Sequence, residues 1–564
     1  MSRSHWGWGE RALSQNRQAL ADRLERDVGF PELIVREPTP LSEATVPESQ
    51  FVRAESQLSL PDAVSAFCTT DRETRIRHTY GNAYPDLVRG FFGNFASAPD
   101  AVARPRTEPE LQTLLTWASD NRVAIIPFGG GTSVVGGVEP DLNGVGAMSP
   151  GTSRTGYNGV ISVSMREFTQ VKVDEHSRRA RLGAGLFGPE VNEKLGEYGL
   201  QLRHYPQSYE YSTVGGWIAT RAGGHFATLY THIDEFIESV RAVTPVGVLE
   251  TLDLPASGAG PDPNRFLLGS EGAFGCLTEA WLRVQPRPEY RASVSVEFAD
   301  FWDGVDAARE IVQARLYPAN CRLLDPVEVL ITELDATGSV LVLGFESFDR
   351  PVADELARAV TICERRGGEA EDPRYAEPGE SKDSTEKNAD SANPDGNVDR
   401  ANPDDNVDTA ADWRASFFDG PYLFNELVSI GVLVDTFETA VTWDRFPELH
   451  AALQREVMNT MVEECGTGVL SCRFTHVYPD GPAPYYTLLA PATRGEELTQ
   501  WRAIKTTASD VLAAHDATIT HHHAVGRVHR EWYAAEVPAH YTEALRSMKR
   551  TLDPEGVMNP GALL

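Results

Sequence analysis

Three consecutive glycines, Gly129-Gly130-Gly131, follow the apolar run Val123 to Pro127 and Phe128, and lead into Thr132-Ser133-Val134. Lacking Cβ atoms, such a turn can bend sharply and let successive backbone N–H groups converge on an anion. Thr132 and Ser133 add hydroxyl donors. The loop is not a Walker loop, since no Lys-Ser/Thr follows, and Val134 stands where the third glycine of a dinucleotide fingerprint belongs. Its own residues leave two readings, a pyrophosphate cradle or a tight structural turn. A second motif, Gly183-Ala184-Gly185-Leu186-Phe187-Gly188, does match G-x-G-x-x-G. Pro189 follows it, however, and the next strand-like run ends in Arg203-His204-Tyr205-Pro206 rather than in an acid. That motif reads as a close-packed strand-to-helix turn.

Around these loops the pattern is α+β. Helices are expected over about 14–26, 108–121, 189–198, 303–313, 434–443, 448–464, 495–515 and 538–552. Strands are expected at 123–127, 160–163, 171–173, 293–298, 340–345, 469–478 and 484–489, and 240–243 with 248–252 as a hairpin. Residues 369–412 break the pattern, with 14 acids, four bases and no Leu, Ile, Phe, Met or Trp. Ala392-Asn393-Pro394-Asp395 recurs as Ala401-Asn402-Pro403-Asp404. So little apolar area cannot offset ordering entropy, so a disordered surface insertion is expected.

The chain carries 82 Asp+Glu against 51 Lys+Arg, a formal charge of -31. A surface of that sign repels phosphate backbones and argues against a nucleic-acid partner. Only six of the cations are Lys, a balance expected of a halophile cytoplasm, where molar salt screens self-repulsion. Six scattered cysteines with no C-x-x-C give neither a zinc site nor a disulfide framework. The first residues lack the apolar h-region of a secretory signal, and no apolar run is long enough to span a membrane.

Two further segments belong with the first loop. One runs Gln207, Ser208, then Ser212-Thr213-Val214-Gly215-Gly216 and Thr220-Arg221-Ala222-Gly223. The other is Glu271-Gly272-Ala273-Phe274-Gly275-Cys276-Leu277. With Pro127 and the loop Gly129 to Val134, they resemble the FAD domain of the vanillyl-alcohol-oxidase (PCMH) type. There P-x-G-G-G-T-S holds the pyrophosphate, and the other two segments line flavin and adenosine. Some relatives attach flavin through a histidine in the first loop; Gly129 to Gly137 contain none, so non-covalent FAD is expected.

His521-His522-His523 near the C-terminus could exchange protons or polarise a carbonyl near neutral pH. On a strand, His521 and His523 would share one face and His522 the other. No carboxylate or Cys stands at ligand spacing, so no metal is expected. The block from His521 to Trp532, closing on Asp553-Pro554 and Asn559, resembles alkyldihydroxyacetonephosphate synthases. So do Trp6-Gly7-Trp8-Gly9, Phe437-Glu438-Thr439 with Trp443-Asp444, and Ala319 to Asp325. The resemblance implies FAD chemistry without net redox, acyl being exchanged for alkyl through a flavin N5 adduct. It makes Tyr485 the base, with Arg322 and the three histidines stabilising the oxyanion and shuttling protons. A free tyrosine, with a pKa near ~10, needs help to act as a base at neutral pH, and Arg322 or a protonated histidine is expected to supply it.

Two departures bear on the substrate. Phe424 stands where the family places a phosphate-binding arginine, and Gln207 where it often has Asp. They suit a less anionic substrate, or the alternative of an FAD-linked oxidase or dehydrogenase of an alcohol or 2-hydroxy acid. The expected architecture is an N-terminal extension (1–95), a two-part FAD domain (96–290), an α/β cap (291–500) and a C-terminal segment (501–564) closing the active site. A small-molecule or lipid-like substrate, peripheral membrane contact, a homodimer and a cytoplasmic location complete the expectation.

Overall fold

The computed structural model describes residues 4–53, 58–141, 156–332, 334, 336–376, 378 and 420–564. The repeated acidic blocks at 392–399 and 401–408 lie outside the described residues.

Strands β1 (Cys68–Thr69), β2 (Ala101–Ala103), β3 (Val123–Phe128) and β4 (Gly159–Ser164) form the first sheet, in the order β1-β2-β4-β3. β4 runs parallel to both β2 and β3. The crossover helix Glu108–Asn121 begins where Thr107 accepts the Glu110 amide, and it buries Leu111, Leu114, Leu115 and Ala118. These side chains share a core with Ile125 and Ile161 of the sheet. Strand β3 therefore ends at a fixed point, and the glycine loop leaves from there.

The second sheet is antiparallel. It joins β5 (Val171–Asp174), β6 (Arg179–Gly183), β8 (Ile237–Thr244), β9 (Gly247–Glu250) and β10 (Cys276–Arg283) in the order β5-β6-β10-β8-β9. β7 (Leu200–Gln201) and β11 (Gln285–Pro286) pair as a small ribbon. The Gly183 to Gly188 motif is the turn expected of it. A Cβ on Gly183 would overlap the Phe168 carbonyl, one on Gly185 the Met165 carbonyl, and one on Gly188 the Tyr209 ring. Its glycines are fixed by packing within the chain.

The third sheet is built from β12 (Tyr290–Phe298), β13 (Asn320–Leu324), β14 (Ser339–Ser347), β15 (Glu369–Ala370), β16 (Arg374–Ala376), β17 (Val432–Glu438), β18 (Val469–Val477) and β19 (Pro482–Pro491). Its order is β15-β12-β14-β13-β18-β19-β17, with β16 beside β12 and every pairing antiparallel. Helices Phe301–Gln313, Ala353–Arg365, Phe446–Cys465 and Glu497–Ala514 contribute to its hydrophobic core.

Three expectations change. Residues 369–370 and 374–376, expected to lie in a disordered insertion, are strands β15 and β16, both paired with β12. Residues 434–443 are not helical: 432–438 form β17, and all seven residues are buried. A strand covered on both faces loses its alternation, so periodicity cannot tell it from a helix. The N-terminal helix is shorter than expected, Arg17–Arg23, and widens into a π turn at Leu24–Val28. Ahead of it, Trp8 is buried and exchanges hydrogen bonds with Asn425, 2.9 Å from its amide to Oδ1 and 3.0 Å from Nδ2 to its carbonyl. Among the described residues no helix is long and apolar enough to cross a membrane.

Candidate active site

The glycine loop is clamped between two other segments. A Cβ on Gly129 would overlap Thr213 Oγ1, and one on Gly130 the Tyr211 carbonyl, so the first loop lies flat on the second segment. A Cβ on Gly272 would press on Pro127 at 2.8 Å, which brings in the third. The N-terminal extension forms an outer wall: the Asn82 amide donates to the Ser133 carbonyl at 2.7 Å, and its side chain to the Gly131 carbonyl at 3.2 Å. Below the loop, buried Arg89 joins Glu139 at 2.6 Å and Asp86 at 2.7 Å.

With the loop so fixed, none of the six amides from Gly129 to Val134 donates a hydrogen bond within the described residues. Buried or half-buried amides are costly to leave unpaired unless the site is made for an acceptor. Six in sequence at a strand end suit a diphosphate, and FAD fits this donor set. Thr213 caps the helix Val214–Thr220 by accepting the Gly216 amide, and Gly215 packs on Ala184. Ser212 accepts the Trp217 indole N–H at 2.6 Å, and the Thr220 hydroxyl donates to the Gly216 carbonyl at 2.9 Å. Ser208 accepts the Tyr211 and Ser212 amides through its carbonyl, and Gln207 turns toward Gly420. The Arg221 side chain, half-exposed, pairs with Asp234 at 3.0 Å. Ala273, Phe274, Cys276 and Leu277 are buried in the core and can offer a ligand little but backbone.

The C-terminal segment returns across these loops. Glu271 accepts the Val525 and Gly526 amides at 2.8 and 2.7 Å, and burial pushes its carboxyl up to about 7. Asn559 donates to the Gly137 and Glu271 carbonyls at 2.9 and 2.6 Å. The same chain thus holds together the first and third of the segments expected to bind the cofactor, and it delivers the histidine triplet beside them.

The triplet is a loop wrapped on a carboxylate, which corrects the strand reading. Glu438 accepts the backbone amides of His521, His522 and His523 at 2.5, 3.1 and 2.8 Å, and the Thr520 hydroxyl at 2.6 Å. With all three amides turned to one side chain, alternation no longer assigns faces. Burial alone would raise the Glu438 carboxyl; the histidines and the Thr520 hydroxyl outweigh it and hold it well below its usual range.

His522 and His523 lie 6.0 and 5.4 Å, centroid to centroid, from the ring of Tyr485, which sits on β19 opposite Glu438 of β17. Burial pushes the Tyr485 hydroxyl up, and nearby Arg473 and a Thr436 hydrogen bond pull against it. The Arg473 guanidinium lies 4.1 Å over the ring and pairs with buried Glu328. The cation beside Tyr485 is therefore Arg473, where Arg322 was expected. Arg322 is fully buried on β13 and donates to the His225 carbonyl, near His476. Nor are the histidines cationic near neutrality. Burial lowers His522 to about 3 and His523 to about 4, and puts His521 well below its usual value.

Sequence reasoning also missed His476, Tyr478 and His232. His476 donates to the Gly224 carbonyl at 2.9 Å, its ring 5.5 Å from that of His522. Gly223 fits under the pair: a Cβ there would come within 3.0 Å of His522 and 3.3 Å of His476. A bulge between Phe474 and His476 shifts the register of β18 and breaks the period-two reading that would oppose Arg473 to His476. Ring nitrogens of His476, His521 and His522 gather within 4.8 Å of one another. They are engaged in hydrogen bonds to Gly224, Tyr478 and each other. Beside Tyr478 opens a cavity of about 630 Å³, with Val441, Pro482, Ala517, Ile519 and Trp532 among its walls.

Residues 99–253 match the FAD binding domain family, and residues 287–563 the family of FAD linked oxidases, C-terminal domain. The chain is 30% identical over 538 residues to the alkyldihydroxyacetonephosphate synthase of Trypanosoma brucei brucei, covering 94% of this chain and 82% of that protein. It is 24% identical over 508 residues to the mitochondrial cytochrome-linked D-lactate dehydrogenase of Arabidopsis thaliana, covering 88% and 77%. A solved structure of an alkyldihydroxyacetonephosphate synthase superposes with TM-score 0.73 at 22% identity, covering 99% of each chain. A substrate-bound p-cresol methylhydroxylase superposes with TM-score 0.64 at 14% identity, covering 88% and 93%. The fold is thus of the PCMH type.

Proposed function

Because the chain belongs to the alkyldihydroxyacetonephosphate synthase family of FAD-linked flavoproteins, we propose that it exchanges the acyl group of a ketone ester for the alkyl group of a long-chain alcohol. The observation that carries this reading is the buried Tyr485, set between the Arg473 guanidinium and the rings of His522 and His523 beside the flavin-binding segments. FAD, held by the amides from Gly129 to Val134, supplies when bound an electrophile that can retain the substrate carbon while one oxygen substituent leaves and another enters.

The chain's own groups do the rest. Tyr485 acts as the base in its phenolate form, which Arg473, stacked on its ring, favours, and it becomes the neutral phenol on taking the proton beside the ketone. Burial keeps His522 and His523 neutral, so each takes up a proton only in passing and hands it on. Buried Arg322, near His476, stabilises negative charge developing on the ketone oxygen. Phe424 is half-buried against the apolar core, so that position carries no cation for a headgroup, and the substrate is less anionic than a phosphate ester. The cavity beside Tyr478 offers apolar wall to a lipid-like chain.

The reaction belongs to ether-lipid biosynthesis in a salt-rich cytoplasm, carried out by a homodimer that touches the membrane only peripherally. The lysine-poor acidic composition supports the salt assignment, and a stability titration against KCl tests it. The function itself is tested by incubating the holoenzyme with an acyl ketone and labelled fatty alcohol. Label should enter the product without bleaching of the flavin. Bleaching by alcohols or 2-hydroxy acids under anaerobic conditions, with no label transfer, would replace this reading with a dehydrogenase.

A further inference from the structure

The histidine cluster does not end at the reacting groups. His522 Nδ1 lies 3.1 Å from His521 Nδ1, and His521 Nε2 lies 2.8 Å from the Tyr478 hydroxyl. Tyr478 Oη is 3.0 Å from Thr231 Oγ1, which is 3.1 Å from His232 Nδ1. His232 Nε2 lies 2.9 Å from the His521 carbonyl. The path starts beside Tyr485 and finishes on a half-exposed imidazole between Thr231 and Asp234, with Glu235 exposed just beyond.

One contact fixes the direction of every other. A carbonyl only accepts, so His232 Nε2 must carry the hydrogen, and in the neutral ring Nδ1 is then an acceptor. Thr231 therefore donates to His232, and its oxygen is left to accept from Tyr478. Tyr478, donating to Thr231, accepts from His521 Nε2. Neutral His521 with its hydrogen on Nε2 has a bare Nδ1, which accepts from His522. All donors thus point outward from His522 to His232. Glu235 can also take the Thr231 hydroxyl, at 3.3 Å, and already accepts the Thr231 amide at 2.5 Å.

We propose that His521, Tyr478, Thr231 and His232 form a proton relay that exports a proton from His522 to the surface beside Asp234 and Glu235. The inference rests on the exchange reaction above. In that reaction the bond from carbon to the acyl oxygen breaks, and a bond from carbon to the alcohol oxygen forms. The acid leaves as a carboxylate at neutral pH, so the hydroxyl proton of the alcohol must leave the buried site in each turnover. His522 receives it, and each member passes on the hydrogen it already points outward. His232 ends protonated among carboxylates, from which solvent removes the proton.

Thr231→Val removes one link while keeping side-chain shape, and Tyr478→Phe removes the next. In the FAD-loaded enzyme each should lower kcat for label exchange about tenfold or more with the flavin spectrum unchanged, and Thr231→Val should also leave KM unchanged. Small imidazole buffers should restore most of the rate, a rescue that a merely structural role would not give. Histidine-selective 15N NMR of the wild-type enzyme should show His232 as the Nε2–H tautomer. Wild-type kcat in both variants, loss that buffer does not rescue, or an Nδ1–H His232 would each overturn the relay. A wild-type enzyme without exchange activity would defeat the functional reading instead, and the tautomer would still decide the relay.

Discussion

Replacing Glu438 by glutamine keeps its shape and removes its charge. In the folded protein the carboxylate accepts three consecutive backbone amides and the Thr520 hydroxyl. Hydrogen bonds to a charged acceptor contribute about 1.5–3 kcal/mol each, against about 0.5–1.5 kcal/mol for neutral ones. The glutamine oxygen can keep the Thr520, His522 and His523 contacts as neutral bonds, a loss of about 1 kcal/mol apiece. Its nitrogen then faces the His521 N–H, donor against donor, and forfeits that bond outright. Relief of the buried charge offsets part of the sum. With three contacts weakened by about 1 kcal/mol each and the His521 bond lost, less that relief, a net cost of about 3 kcal/mol is expected. The flavin-release midpoint in a thermal ramp should fall by about 2–3 °C, and label exchange should drop at least about tenfold as the three rings lose their seat. A Glu438→Gln enzyme with the wild-type midpoint and rate would refute the claim that this carboxylate organises the triplet.

Other outcomes follow from the same geometry. Gly130→Ala should yield protein without bound flavin, read from the ratio of visible to ultraviolet absorbance, because its Cβ overlaps the Tyr211 carbonyl. Tyr485→Phe should stay yellow yet lose label exchange, and retained exchange would remove Tyr485 from its role as base. Arg473→Leu should raise the Tyr485 pKa further, since Arg473 is the cation pulling it down, and so move the rising, acid-side limb of the rate profile to higher pH. Acid should destabilise the fold. Burial holds His204, His450, His476, His521, His522, His523 and His529 below their usual pKa, so below about 6.5 the unfolded chain binds protons that the folded chain refuses. Buried Asp86, Glu271 and Asp325, raised to about 6, 7 and 7, act in the opposite sense but are fewer. The thermal midpoint should therefore fall between pH 6.5 and 5, and a rise over that range would contradict the burial argument.

The glycine loop was legible as a candidate cofactor site because its chemistry is local and contiguous. A glycine run at a strand end presents successive amides whatever surrounds it, and Gly129 to Val134 do so here. The helix Glu108–Asn121, with one exposed face, was legible as well, and the hairpin of β8 and β9 was legible through the turn Pro245-Val246-Gly247. β17 was not, because burial on both faces erased its alternation.

The catalytic surroundings depended on contacts between residues far apart in the chain. Sequence alone pointed to Tyr485 and the triplet as groups that exchange protons. Only the packed fold put Arg473, rather than Arg322, over the tyrosine ring, because a register shift in β18 brings Arg473 and His476 into the site together. Only the packed fold turned three histidine amides onto Glu438 and set Thr231, His232 and Tyr478 in one path. Hydrogen-bond direction and desolvation arise from three-dimensional neighbours, and no local pattern along a chain encodes them.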